Sequence, residues 1–336
     1  MRFIFFCLLT FAALPAPAEW HTREEAIMGT AVRVELWHED ATAARAAMGA
    51  VMDEMNRIDA LMSPYKPDSE LSRINREAAQ KPVAIGKEMF GLIARSIEFS
   101  KLSDGAFDIT FSSVGYLYDY RKHLKPTDEQ IAKVLPGINY RHLQLDPKAQ
   151  TIHYARPGVR IDLGGIAKGH AVDNCIAILK SRGITNAIVT AGGDSRLLGD
   201  RRGRPWSVGI RDPRRGGEVV AVLPLADVAI STSGDYERFF EEDGVRHHHI
   251  INPKTGKSAT GVRSVTIIGP DGITTEGLTK SVFVKGPKAG MRLIESLEGV
   301  DAIIIDDAGR MSYSPGLRNA VREEQGPAAP NSGSVR

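Results

Sequence analysis

From Met28 to Leu36 apolar and polar side chains alternate, the two-residue period of a strand with one buried face, and a first β-strand is expected there. The period then changes. After Thr42, a residue suited to capping, Met48, Val51, Met52, Met55, Ile58 and Met62 recur at helical spacing and predict a long amphipathic helix with its methionines in the core. A second helix is predicted over Lys87–Leu102, with Met89, Ile93 and Ile97 on one face and Ser103-Asp104-Gly105 as its stop. Residues 120–150 are polar and irregular, and no element is predicted in them. Arg160–Leu163 then reads as a strand, Gly164-Gly165 as a tight turn, Ile166–Arg182 as a helix closed by Gly183, and Ala187–Ala191 as a strand, together a βαβ-like unit. Short strands are predicted at Trp206–Ile210, Val219–Leu223, Val265–Ile268 and Ala302–Ile305, and helices at Thr275–Val284 and Lys288–Leu297. The mixture, without repeats or a clear linker, is α+β, with mixed sheets flanked by helices.

The ends of the chain differ from its middle. Arg2 precedes an apolar run from Phe3 to Leu14 and then Pro15-Ala16-Pro17-Ala18, the charged start, short apolar core and small-residue ending of a secretory signal peptide. The run is too short to cross a bilayer comfortably. Cleavage after Ala18, export to the periplasm and no membrane span afterwards are therefore expected, with one domain over residues 19–324. The Pro-, Gly- and Ser-rich residues 325–336 are expected to be a disordered tail. Without the signal segment Cys175 is the only cysteine, which excludes an internal disulfide.

Composition narrows the chemistry. Of 336 residues, 42% are hydrophobic and 25% charged, enough apolar content for a sizeable core, and the formal net charge is only +2. Arg201, Arg202, Arg204, Arg211, Arg214 and Arg215 are interrupted by Gly and Pro and read as surface loops, so nucleic acid is not an expected partner.

Four stretches carry candidate chemistry. RHHHIINPKTG (246–256) has a strand-like, β-branched character ended by Asn252-Pro253, which puts at most His247 and His249 on one face with His248 opposite and argues against a three-histidine metal site. IDLGGIAKGHA (161–171) places glycines at the start of a helix, where backbone N–H groups and the positive helix end can meet a phosphate, with Lys168 and His170 close by; tight helix packing explains the glycines equally well. AGGD (191–194) ends a strand, where Asp194 is either a ligand contact or a turn residue. STSGDY (231–236) reads as an anion-facing turn or a plain loop.

Taken in order, MGT (28–30), SPYKPDSELSRIN (63–75), SDGAFD (103–108), IDLGGIAKGHA, TAGGD, STSGDYERFF and HHHIINPKTG resemble the FAD:protein FMN transferases, the ApbE-type flavin transferases, from about Met28 to Gly286. The resemblance implies an exported protein that binds FAD with Mg2+ and transfers FMN to a Ser or Thr hydroxyl of a partner protein, an exported redox protein, with release of AMP. By position it implies flavin contacts at Met28, Tyr65, Ala106, Phe107, Asp108, Gly164, His170 and Ile251, with Asp194 beside the AMP half. His249 becomes the candidate base or positioning group, since a neutral imidazole can take the proton of an attacking hydroxyl.

The chain departs from the family pattern in TTEGLTKS (274–281). Glu276 stands where relatives carry aspartate and Lys280 where they carry threonine. Mg2+ would be held by the Ala167 carbonyl, Glu276 and Thr279. An ammonium has no lone pair for a metal, so Lys280 either turns aside or supplies the positive charge itself, and at four residues' spacing it also suits a salt bridge with Glu276. Asn252 in place of aspartate and Ile109 in place of proline are further departures. Two alternatives to the transferase follow: an FAD-binding protein without transferase activity, and an FAD pyrophosphatase giving FMN and AMP.

Overall fold

The alternation beginning at Met28 belongs to the second strand of a hairpin. In the computed structural model, which describes residues 19–318, β1 (Glu19–Ile27) pairs antiparallel with β2 (Thr30–His38). Met28 and Gly29 form the two-residue turn, with φ of 56° and 70°. Positive φ at both positions is what a hairpin turn matched to strand twist requires; glycine adopts it freely, whereas methionine does so at a cost in local strain. The predicted signal segment 1–18 and tail 325–336 lie outside the described residues.

The chain continues through α1 (Ala41–Met62), α2 (Glu70–Glu77), β3 (Val83–Ala84), α3 (Lys87–Leu102), α4 (Ser112–Gly115), α5 (Asp128–Val134), β4 (Leu143–Asp146) and β5 (Thr151–Tyr154). There follow α6 (Ala167–Ser181), β6 (Ala187–Ala191), β7 (Asp194–Leu198), β8 (Trp206–Arg211), β9 (Val219–Leu225), β10 (Ala229–Gly234), β11 (Phe239–Glu242), β12 (Val245–His248), β13 (Val262–Gly269), α7 (Gly272–Glu295), β14 (Asp301–Asp306) and β15 (Met311–Tyr313). Eight strands make the main sheet in the order β1-β2-β6-β7-β10-β13-β14-β15, with every neighbouring pair antiparallel.

Side-chain alternation divides this sheet between two cores. Val32, Val34, Leu36, Val189, Val265, Ile267 and Ile304 face α1, α6 and α7, where the predicted helix stripe Met48, Val51, Met52, Met55, Ile58 and Met62 is buried. Leu197, Ile230, Ile268 and Ile303 point to the opposite face and are covered by Trp206, Ile210 and Leu223 of the β8–β9 hairpin. The predicted break between the last two helices is also present. α7 kinks where Gly286 takes φ of 78° ahead of Pro287.

Three expectations are corrected. Arg160–Leu163 is not a strand, so the expected βαβ unit is absent from the described residues. The Asn75 side chain accepts from Ile161 N at 2.8 Å and donates to Ile161 O at 2.8 Å, and Asp162 N donates to Ile109 O, so the segment's backbone is satisfied outside any ladder. STSGDY begins inside β10, and its Ser231 and Ser233 are buried against α7 rather than facing an anion. Residues 120–150 contain α5 and β4; α5 starts with a reciprocal Thr127–Gln130 capping box that the sequence TDEQ already spells.

The crossing of α6 and α7 positions the later site. A Cβ on Gly169 would lie 2.1 Å from the Gly272 carbonyl oxygen, so only a glycine permits this approach. Gly169→Ala should therefore push the helices apart and destabilise the protein by about 1–3 kcal/mol, the usual cost of overpacking. Denaturant unfolding of the two proteins checks this; equal stabilities would show that the crossing tolerates a methyl group.

Candidate active site

The β1–β2 turn, the end of β6, the start of β7 and the end of β10 lie at one end of the main sheet, and there four charged side chains meet: Lys168 from α6, Glu276 and Lys280 from α7, and Asp194 from the start of β7. Lys168 Nζ donates to Glu276 Oε1 at 2.6 Å and also to Asp194 Oδ2. Lys280 Nζ donates to the same Glu276 Oε1 at 3.2 Å, and Gly169 N donates to Glu276 Oε2 at 2.7 Å. Glu276 has no solvent exposure and Asp194 only 1%. Burial alone would raise the Glu276 carboxyl, yet the Lys168 and Lys280 ammonium groups hold it below its ordinary value. Burial likewise opposes the Lys168 charge, but Asp194 and Glu276 outweigh it and hold that pKa above the usual lysine range. The quartet is thus two cations and two anions, with one buried acceptor, Asp194 Oδ1, left without a partner.

The surrounding residues come from distant stretches. The Lys280 stem passes the Gly164-Gly165 turn: a Cβ on Gly165 would be 3.8 Å from Lys280 Cε and 3.4 Å from the Phe107 ring. Gly164 is exposed and its N–H donates to Asp162 Oδ1 at 2.6 Å. Arg238 approaches the Met28-Gly29 turn, its guanidinium 3.5 Å from where a Gly29 Cβ would stand, and its carbonyl accepts from His249 N at 3.1 Å. His249 feels this cluster. Burial first, then His248 and the Lys280, Arg238 and Lys168 cations, push its imidazole down to about 3, and its Nδ1 is buried without a hydrogen-bond partner.

The three consecutive histidines occupy three different environments. His247 packs against Phe240, with ring centroids 5.1 Å apart. His248 is buried, its Nε2 2.8 Å from the Ala259 carbonyl and its ring edge-on to Phe283. Only His249, just beyond the end of β12, is coupled to the charged quartet.

The remaining candidates divide. Phe107, Gly164, Ala167, Asp194, His249, Glu276, Thr279 and Lys280 lie in or immediately around the quartet and its glycine turn, and Met28 sits in the β1–β2 turn at the same end of the sheet, packed against the core. Ile251 is buried two residues beyond His249 and bridges Ser258, and Ala106 is buried beside Phe107. Tyr65 is 84% exposed on the α1–α2 connection, which removes a core role. Elsewhere in the aromatic group, Tyr120 stacks on Tyr118 and leads through Phe240 to His247. The Asp108 side chain turns inward, accepting from Thr110 N, Thr110 Oγ1 and Tyr140 N. His170 leaves α6 away from the quartet and meets Glu88 Oε1 at 2.7 Å, in a cluster with Glu54, Arg57 and Asn174 that ties α1, α3 and α6 together. Sequence reading undervalued Lys168, the centre of the quartet, and missed Arg238; the lysine three residues past the glycine turn was the available signal.

The donor set does not suit Mg2+, which requires near-octahedral oxygen ligation. Glu276 Oε1 carries two ammonium groups and Oε2 an amide N–H. Thr279 Oγ1 accepts from Ser233 and donates to the Glu276 carbonyl. Asp194 Oδ1 is the only quartet carboxylate oxygen left open, and a single free carboxylate oxygen on a residue already bonded to the Lys168 ammonium does not make an octahedral oxygen site.

An α+β scaffold that gathers a neutral histidine, three cations and a glycine turn at a helix start defines a class of proteins built to hold a phosphorylated ligand. Comparison with known proteins narrows the class: the ApbE family profile matches residues 28–304, and the chain belongs to the ApbE family. A protein of Treponema pallidum named FAD:protein FMN transferase is 32% identical over 321 residues, covering 90% of this chain and 89% of its own. One of the same name from Vibrio cholerae is 33% identical over 318 residues, with 91% and 94% covered. Among solved structures, the ApbE protein of Thermotoga maritima superposes with a TM-score of 0.84 at 34% identity, covering 90% of this chain and all of that one. The flavin transferase ApbE of Vibrio cholerae gives 0.80 at 30% identity, covering 90% and 99%.

The depressed His249 sets a pH dependence. A histidine whose folded pKa lies below its unfolded value leaves the unfolded chain holding more protons between the two, so stability is full above about 6.5 and is lost as pH falls toward about 3. His249→Asn should flatten the fall in melting temperature through that window. Parallel slopes for the two proteins would show that His249 is not held neutral by its surroundings.

Proposed function

We propose that this protein transfers FMN from FAD to a Ser or Thr hydroxyl of a partner protein, forming a phosphoester and releasing AMP. The observation that carries this reading is the convergence of Lys168, Lys280 and Arg238 around His249, with the Lys280 stem lying along the Gly164-Gly165 turn. Phosphoryl transfer depends on positioning and on neutralising charge around the phosphates, and these groups supply both. In the transfer step the acceptor oxygen bonds to the phosphorus of the FMN half. The bond from that phosphorus to the bridging oxygen breaks, AMP leaves with the oxygen, and the acceptor's proton passes to His249.

His249 is a weak base while the cations around it are uncompensated. An anionic pyrophosphate beside Lys280 and Lys168 offsets them and raises the proton affinity of the imidazole. The base therefore strengthens when the substrate it serves is present. Exposed Tyr65 offers a free aromatic face for offset stacking of a flavin, and the unpartnered Asp194 Oδ1 accepts from a hydroxyl of the AMP half. Met28, Ala106, Phe107 and Ile251 line the flavin side, while Asp108 holds the Tyr140 backbone and His170 the Glu88 side chain behind it. The leader-like N-terminus supports an acceptor outside the cytoplasm, an exported redox protein with an exposed Ser or Thr.

Incubating the protein with FAD and such an acceptor should leave flavin fluorescence on the acceptor band of a denaturing gel. Free FMN and AMP with an unlabelled acceptor would replace the transferase by a pyrophosphatase. His249→Ala should retain FAD and slow transfer about a hundredfold or more, the scale of a lost general base; lost binding with normal turnover at saturation would contradict the role. Tyr65→Ala should weaken flavin binding by about 1–3 kcal/mol, by analogy with bases stacked on aromatic side chains. Because Tyr65 is so exposed, stability should change by less than about 0.5 kcal/mol, and an unchanged affinity in titration would remove the stacking assignment.

A further inference from the structure

The quartet carries a consequence beyond the transfer reaction itself. Two ammonium groups already share Glu276 Oε1, the Glu276 Oε2 lone pair is held by Gly169 N–H, and Thr279 Oγ1 is engaged as donor and acceptor. A divalent cation entering here would meet two positive charges and find no set of free oxygens. The Lys280 stem instead lies along the Gly164-Gly165 turn, within van der Waals distance of the place a Gly165 side chain would fill, and its head lies against Glu276 with 18% of the side chain exposed. One flank of that head is held by a carboxylate; the remaining ammonium protons are free for an anion arriving at the glycine turn.

We infer that the Lys280 ammonium is a built-in counter-charge for the pyrophosphate of the bound dinucleotide, so that this chain holds FAD without a divalent cation. The inference rests on the flavin-transferase reading of the site. It assigns each member of the quartet a task. Lys168, bonded to both carboxylates, holds Glu276 and Asp194 in place; Glu276 aims Lys280; Lys280 meets the phosphate. A charge fixed to the chain does not exchange with solvent and is not removed by a chelator, whereas one supplied by a metal is.

The experiment is a titration of FAD into the purified full-length protein, followed by flavin fluorescence, in EDTA and again with Mg2+, together with a calorimetric titration of Mg2+ into the FAD complex. Equal FAD affinity in the two buffers and no saturable Mg2+ heat are expected. Lys280→Met, which keeps the length of the stem and removes the charge, should bind FAD roughly tenfold or more weakly, the loss of a hydrogen bond to a charged group, and Mg2+ should not restore it. Its melting temperature, read alongside, shows whether the variant is folded. The Mg2+ titration of the unaltered protein tests the inference even where the variant is not. FAD binding that is tight only with Mg2+, saturable Mg2+ heat, or unchanged affinity in a folded Lys280→Met protein would overturn the lysine assignment and leave the transferase reading standing. Failure to bind FAD under any of these conditions would overturn both.

Discussion

A carboxylate with no access to water stays charged only where its charge is matched, and the site depends on how Glu276 is matched. Lys168 and Lys280 share one of its oxygens and the Gly169 amide takes the other. Removing one partner from a buried ion pair costs about 3–5 kcal/mol, because the remaining charge is left without water or counter-ion. The arrangement requires α6 and α7 to cross closely enough for Glu276 to reach the first turn of α6. Gly169 and Gly272 permit that approach, and Asp173 anchors it by accepting from Gly272 N and Ile273 N. The helix crossing and the charge cluster are therefore one structural feature seen at two scales.

That feature also governs His249. A histidine buried out of water beside three cations is held neutral. His247 and His248 have been removed from this chemistry by packing and by the Ala259 carbonyl. The ApbE family gives the context of the site, and within it the charge of Glu276 is balanced by Lys280 from one turn away on its own helix and by Lys168 from α6.

Local pattern was sufficient for much of the framework. Six apolar positions at helical spacing located α1 and its buried face, the two helices expected at Thr275–Val284 and Lys288–Leu297 flank the kink at Gly286, and the order of seven short motifs identified the family. These succeed because helix periodicity and backbone constraint are properties of residues a few positions apart. The Thr127–Gln130 capping box was equally readable, so α5 was legible though unread.

Partnership between distant residues was decided by the tertiary structure. Arg160–Leu163 has a strand's composition, but Asn75 satisfies the Ile161 backbone from 86 residues away and no ladder forms. STSGDY has a turn's composition, yet pairing with β7 and β13 makes its first residues a buried strand. Lys168 and Glu276 are separated by 108 residues, and only the α6–α7 crossing makes them a pair. The residue types capable of the chemistry were written in the sequence; which of them meet, which are turned inward as structural ties, and whether a cation's place is already held by an ammonium group depended on long-range packing, because charge and hydrogen-bond satisfaction are settled by neighbours in space rather than along the chain.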